Sequence, residues 1–93
     1  MTAERCGRIE ACLRAALAPL ALEIVDDSHR HAGHVGAADG RGHFSVFVVS
    51  ELFRGLPTVK RHRLVYEAVG DLMTSDIHAL SIQALAPGED AGA

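Results

Sequence analysis

Residues 43–50 read His-Phe-Ser-Val-Phe-Val-Val-Ser, which is the most strand-prone segment of the chain. Branched and aromatic side chains of this kind favour the pleated surface of a sheet. Alternation along an extended chain divides the side chains into two sets, Phe44, Val46 and Val48 on one side and Ser45, Phe47 and Val49 on the other. Since both sets contain large apolar residues, we predict a central or well-covered strand.

Two further elements are predicted upstream of this strand. Residues 3–18 form an amphipathic helix that ends near Pro19, since apolar residues recur there at steps of three and four. Its stripe consists of Ile9, Leu13, Ala16, Leu17 and Leu20. Residues 21–27 alternate with a period of two, which is typical of a partly buried strand. Leu22 and Ile24 share one side of it, and Glu23 and Val25 share the other.

A turn, a second helix and a third strand are predicted downstream. Residues 53–57 form the turn, because Gly55 permits a positive φ and Pro57 forces its predecessor out of the helical region. Residues 59–73 then carry a wide apolar stripe, made of His62, Val65, Tyr66, Val69, Leu72 and Met73. Residues 77–86 alternate as a strand, with His78, Leu80, Ile82 and Ala84 on one side.

The order helix, strand, strand, helix, strand predicts one α/β domain of the α+β kind. Two helices are then able to cover one face of a three-stranded mixed sheet. A chain of 93 residues leaves room for a single core. We place this domain at residues 1–86 and predict a disordered tail, rich in Gly, Ala and acid, at residues 87–93.

Charge and cysteine content narrow the classes of function. A formal net charge of −3 argues against a general polyanion binder, although four of the nine basic residues form a local patch, namely Arg54, Lys60, Arg61 and Arg63. The 2 cysteines, Cys6 and Cys12, are turned about 240° apart on a helix and are predicted to be reduced thiols. No segment reads as a membrane span or a signal peptide, so we predict a cytoplasmic protein without membrane attachment.

Four of the 6 histidines lie in or next to one glycine-rich connection between the first two strands, at positions 29, 31, 34 and 43. Imidazole changes charge near neutral pH and is the commonest metal ligand in proteins. The connection is therefore the segment in which we predict the function to reside.

Several segments together resemble the BolA family. They are Leu22-Glu23-Ile24-Val25-Asp26-Asp27-Ser28, His43-Phe44-Ser45-Val46, Val49-Ser50 with Phe53-Arg54-Gly55, Arg61-His62-Arg63-Leu64-Val65-Tyr66, and Ile77-His78-Ala79-Leu80-Ser81. The most specific parts are the Arg-His-Arg triplet at its distance from Phe53 and Gly55, and the Ile-His-Ala-Leu start of the last strand. The resemblance implies a class II K-homology-like fold. It also implies a monothiol glutaredoxin as partner, with a [2Fe–2S] cluster shared between the two proteins.

The resemblance also implies a set of ligands. One is the histidine at the start of the last strand, which here is His78, and the second comes from the loop between the first two strands. That second ligand maps best onto His31, with His34, His29 and His43 as alternatives. Because the loop has no cysteine, the chain resembles the histidine-type branch. The remaining ligands are expected from the cysteine of the partner and from glutathione, and the protein alone is expected to hold no cofactor and to be a monomer or a weak homodimer.

Ligand chemistry independently agrees with this set. Histidine in place of thiolate raises the reduction potential of an iron–sulfur centre, and a protonated imidazole cannot bind metal. Each histidine taken alone also fits a simpler role. His78 fits a half-buried structural histidine, the loop histidines fit solvated residues or an adventitious Zn or Ni site, and His62 fits packing on the second helix.

A DNA-binding regulator is the alternative function that we predict from the basic patch. Cations near a helix N-terminus suit phosphates, and some members of the family resembled are linked to transcriptional regulation. A solvated helix face or a docking surface for an acidic partner is the interpretation of the patch that we favour. A K-homology RNA binder clamps the backbone with a Gly-x-x-Gly loop, and at the turn before the second helix this chain offers only Gly55, with Pro57 soon after. Catalytic motifs are missing too, so we expect a protein that is not an enzyme.

Overall fold

The computed structural model describes residues 2–27 and 42–89. Its elements are α1 (Thr2–Leu17), β1 (Ala21–Asp26), β2 (Gly42–Val49), a 3₁₀ turn (Glu51–Phe53), α2 (Thr58–Val69), α3 (Leu72–Ser75) and β3 (Ile77–Leu85). The predicted order of two long helices and three strands is confirmed, and the 3₁₀ turn and α3 are short additions to it. Within the described ranges, none of the helices has the length and apolar character needed to cross a bilayer.

β2 is the central strand of the three-stranded sheet, as its sequence predicts. β1 pairs with it antiparallel, with Ala21 opposite Val49 and Asp26 opposite Phe44. β3 pairs with it parallel on the other side, so the sheet is mixed. Parallel neighbours need a crossover, and α2 supplies it. The parallel arrangement brings the first residues of β2 and of β3 to the same end of the sheet.

The core lies between the two long helices and one face of the sheet. Every second residue of β2, beginning at Gly42, is buried, and the residues between them are half-buried. The buried apolar side chains are Ile9, Leu13 and Leu17 of α1, Phe44, Val46 and Val48 of β2, Phe53, Val65 and Val69, Ile77, and Ala86. The prediction that both helices cover one face is therefore confirmed. The side chains of β2 on that face are more deeply buried than those on the opposite face.

Ser50 joins the end of the central strand to the end of α1. It is fully buried, and its hydroxyl donates to the carbonyl of Leu17 at 2.7 Å. The same oxygen accepts from the backbone N–H of Leu52 at 3.2 Å, which caps the 3₁₀ turn. A buried hydroxyl needs such partners, so this serine fixes where β2 stops.

The second helix is shorter than the sequence predicts. It ends at Val69 because Gly70 takes a φ of +52° and its N–H bonds to the carbonyl of Tyr66 at 3.0 Å. Leu72 and Met73, expected on the same helix, belong to α3. Tyr66, expected on the apolar stripe, is 42 % exposed. The stripe alone did not reveal this break, since a glycine with positive φ turns the chain wherever its backbone is free to do so.

Arg61 fastens the last described residues to the domain. Its guanidinium donates to Glu89 at 2.5 and 2.9 Å, and also to the carbonyls of Leu56 and Ala84. The Glu89 carboxylate in turn accepts from the backbone N–H of Ala86 at 3.0 Å. Residues 87–89 of the predicted tail are thus held at the domain surface, and residues 90–93 lie outside the described part of the chain.

This clamp predicts an acid-dependent loosening of the C-terminal segment. The hydrogen bonds from Arg61 and from the Ala86 N–H lower the pKa of Glu89 from 4.5 to about 2. A carboxylate with a lowered pKa in the folded state contributes stability above its ordinary pKa and loses it as the pH falls through the folded value. NMR titration of the Glu89 carboxyl should therefore give a midpoint near 2, and Arg61→Ala should move it back toward 4.5. A midpoint near 4.5 in the unmodified protein would show that the clamp does not form.

Candidate metal-binding site

His43 and His78 lie side by side at one end of the sheet. Their ring centroids are 5.1 Å apart, and the ring planes are inclined by 53°. His43 is near the start of β2 and His78 near the start of β3, so the parallel pairing of these strands brings them together. His43 is half-buried and its Nε2 atom is enclosed, whereas His78 is exposed. The pair therefore offers two imidazoles, one of them open to solvent.

A β-bulge turns His78 toward its neighbour. Gly42 pairs with Ile77, but His43 pairs with Ala79, so His78 is an extra residue in β3. Such bulges re-aim a side chain and often lie beside functional sites. The prediction that His78 shares a side with Leu80, Ile82 and Ala84 is wrong: those three pack against the core, and His78 is exposed beside His43.

The backbone around the pair is held by hydrogen bonds on both sides. The N–H of Asp27 donates to the carbonyl of His43 at 2.7 Å, and the Asp27 carboxylate accepts from the hydroxyl of Ser45. On the other side, the N–H of Gly42 donates to the carbonyl of Asp76 at 2.9 Å. These bonds fix the ends of β1, β2 and β3 relative to one another, so both imidazoles project from an ordered framework.

The donor set fits a metal group that receives further ligands from elsewhere. Imidazole nitrogen binds iron and zinc readily. Among residues 2–27 and 42–89, however, no cluster of three or more His, Cys, Asp or Glu side chains is arranged to hold a metal ion. Both thiols are free, but Cys6 packs against the core, and burial together with the charge of Asp26 raises its pKa. That thiol is a poor source of the thiolate that metal binding requires.

The loop histidines His29, His31 and His34 lie outside the described residues. His31, predicted as the second ligand, is therefore not placed by the structure. Among the described histidines, His43 is the one whose ring lies beside that of His78, and the sequence suggested it only as an alternative. The connection that carries the other three joins Asp27 to Gly42, and both of these residues border the site.

The four residues of the predicted basic patch have different surroundings. Arg54 is exposed and pairs with Glu51 through two bonds of 2.9 Å. Arg61 is occupied by Glu89 and by two carbonyls, and only 12 % of its side chain is exposed. Lys60 and Arg63 are exposed on α2. The patch is therefore not a uniform cationic surface, and His62 between its arginines is half-buried, consistent with packing.

The fold and the paired histidines define a small α+β domain with a candidate ligand site at the shared end of two parallel strands. The BolA-like protein family model matches residues 13–89. The chain belongs to the BolA family.

Individual relatives agree with this assignment. The chain is 46% identical over 87 residues to the SufE-like protein 1, chloroplastic/mitochondrial, of Arabidopsis thaliana. The matched segment is 88% of this chain and 24% of the relative, so this chain spans about a quarter of that protein. It is 40% identical over 75 residues to the DNA-binding transcriptional regulator BolA of Escherichia coli, which is 81% of this chain and 69% of that protein. The solved BolA domain of SufE1 from Arabidopsis thaliana superimposes with a TM-score of 0.81 at 43% identity, over 92% of this chain and 95% of that one.

Proposed function

We propose that this protein binds a monothiol glutaredoxin and co-ligates a bridging [2Fe–2S] cluster through histidine, in iron–sulfur cluster trafficking or iron regulation. The observation that carries the proposal is the His43–His78 pair at 5.1 Å. Two neutral nitrogen donors cannot complete a cluster site, so a protein with this pair needs a partner that brings thiolates. A glutaredoxin cysteine and its bound glutathione supply that chemistry.

The exposure of His78 supports a shared site. An exposed ligand at the end of a sheet is accessible to a second protein, whereas a resident metal site would be enclosed by its own ligands. The role proposed is binding and transfer rather than catalysis. We propose a reducing, cytoplasm-like compartment, because both thiols are free; plant relatives carry chloroplastic or mitochondrial names, so the compartment is part of the proposal.

Anaerobic titration into a glutathione-loaded, cluster-bearing monothiol glutaredoxin tests the proposal. Visible absorption and circular dichroism should change to a new spectrum that saturates at one protein per glutaredoxin. The variants His29→Ala, His31→Ala, His34→Ala and His43→Ala, run beside the parent, identify the second ligand. An unchanged spectrum with the parent protein would contradict the proposal.

A DNA-binding role is the second candidate, and the name of the Escherichia coli relative favours it. Lys60 and Arg63, exposed on α2, are the residues of the patch best placed to meet phosphate. If both contact phosphate, Lys60→Ala with Arg63→Ala should reduce the slope of log K against log salt by roughly 2, at about 0.9 per contact. Fluorescence anisotropy of a labelled duplex over a salt series measures this, with Arg14→Ala, at an exposed position of α1 outside the patch, as the control. An unchanged slope in the double variant would remove α2 from a DNA interface.

A further inference from the structure

We propose that the Arg8–Asp76 ion pair is a positioning device that holds the β3 bulge and thereby keeps His78 beside His43. The functional role of this ion pair rests on the proposed function. The positions of the four side chains are those of the cluster-free protein. Arg8 and Asp76 do not themselves belong to the ligand pair.

Asp76 is the only buried charged residue in the described part of the chain whose side-chain burial is defined. It is 8 % exposed. Nε of Arg8 donates to its carboxylate at 2.9 Å, Nη2 of Arg8 contacts the same oxygen, and the hydroxyl of Ser75 donates to the other oxygen at 2.6 Å. Each carboxylate oxygen of Asp76 thus has its own partner, Arg8 on one and Ser75 on the other. A buried carboxylate without such partners would strongly disfavour the folded state.

The backbone of the same residue ties three elements together. Its N–H donates to the carbonyl of Leu72 in α3 at 2.8 Å, and its carbonyl accepts from Gly42 at the start of β2 at 2.9 Å. Through Arg8 the side chain adds α1. Asp76 is therefore the point at which α1, α3 and the start of β2 meet, directly before β3 begins.

Asp76 is two residues before His78, and we call the Arg8–Asp76 ion pair the anchor. A bulged residue such as His78 has no pairing partner on the neighbouring strand to hold it. Ile77, which follows Asp76, is fully buried opposite Gly42, and Ala79 pairs with His43. The register between β2 and β3 passes over His78, which lies between them. The backbone conformation of His78 depends on the residues on either side of it. The bonds that hold Asp76 fix the chain on the N-terminal side and so help to direct the imidazole.

The Arg8–Asp76 ion pair joins residues that are 68 positions apart in the sequence. A second arginine of α1, Arg14, makes only a local pair. Arg14 bonds to Glu10 at 2.8 Å within the same helix, far along the chain from the bulge. Truncation of Arg8 removes its pair with Asp76 and a longer contact of 3.9 Å with Glu4, and truncation of Arg14 removes its pair with Glu10. Arg14→Ala is therefore a matched control for a general effect on α1.

NMR of the cluster-free protein tests the positioning directly. The parent should show nuclear Overhauser contacts between the rings of His43 and His78. Arg8→Ala and Asp76→Asn should weaken or abolish these contacts and shift the His78 ring resonances, while the methyl signals of Val46 and Val48 stay in place. Arg8→Lys, which keeps the charge, should restore part of the contact, and Arg14→Ala should leave it unchanged.

The result that overturns the inference is an unchanged ring contact in both Arg8→Ala and Asp76→Asn. Equal disturbance by Arg14→Ala would also overturn it, since the effect would then belong to the helix as a whole. If Arg8→Ala proves too unstable to study, Asp76→Asn decides the question by the same criterion.

The glutaredoxin titration separates this inference from the proposed function. Outer groups that orient a ligand typically change metal affinity by roughly 10- to 100-fold, so Arg8→Ala should weaken formation of the mixed complex by roughly tenfold or more. If the parent forms no mixed complex, the proposed function fails and the ring contact still decides the role of the anchor. If the parent forms one and Arg8→Ala forms it equally well with the ring contact intact, the anchor fails alone.

Discussion

Replacing His78 with alanine should abolish the stable mixed cluster and leave the domain folded. His78 is the exposed member of the pair, so its truncation removes a ligand without opening the core. Surface substitutions away from caps and core usually change stability by no more than about 0.5 kcal/mol. Loss of one cluster ligand, by contrast, leaves an iron site incomplete. The new visible circular dichroism signal that we expect with the parent should therefore be absent with His78→Ala.

His62→Ala provides the matched control for this experiment. His62 is a half-buried histidine on α2, outside the pair, and its removal should leave the mixed spectrum in place. Thermal unfolding of all three proteins should confirm that the His78 variant is folded. A His78→Ala protein that forms the same spectrum with the same stoichiometry would show that ligation does not pass through this residue.

Replacing Phe44 with alanine should produce the largest loss of stability. Its side chain is 1 % exposed in the central strand and belongs to the core between sheet and helices. Truncation of a buried phenylalanine costs about 3–5 kcal/mol, through lost burial and the cavity left behind. The free energy of unfolding of a native protein is about 5–15 kcal/mol, so this substitution would remove a large share of it. Urea denaturation measures the change.

Phe47→Ala is the control for the two faces of the same strand. Phe47 is three residues further along and half-buried on the side of the sheet away from the helices. Because less of its surface leaves water on folding, the loss of stability should be clearly smaller than for Phe44. Equal losses would mean that both faces of β2 are packed to the same extent, contrary to the structure.

Local patterns were sufficient to predict the strands and the long helices. The alternation in residues 43–50 indicated a central strand, and the central position of β2 is what the sheet shows. Period-two and period-3.6 patterns reflect which side chains reach the core, and that is a property of each segment by itself. Element order and the mixed sheet followed from them, together with the family resemblance of several segments.

The arrangement of the site could not be predicted in the same way. The bulge at His78 depends on how β3 pairs with β2, and regular alternation along β3 predicted the opposite side for this residue. Arg8 and Asp76 are 68 positions apart, and Arg61 and Glu89 are 28 apart. A pattern within one segment of the sequence therefore cannot predict either ion pair. Three of the predicted ligand candidates, His29, His31 and His34, lie outside the described residues and stay predictions.

Selective isotope labelling reveals whether a histidine of this chain binds the cluster. The protein is prepared with ¹⁵N-histidine, mixed with unlabelled cluster-bearing glutaredoxin and glutathione, reduced, and studied by pulsed electron paramagnetic resonance. We expect a strong ¹⁵N hyperfine coupling of a directly bound imidazole, which is replaced by a ¹⁴N coupling in the unlabelled protein and is lost with His78→Ala. A reduced cluster in the complex with no strongly coupled ¹⁵N would contradict histidine ligation.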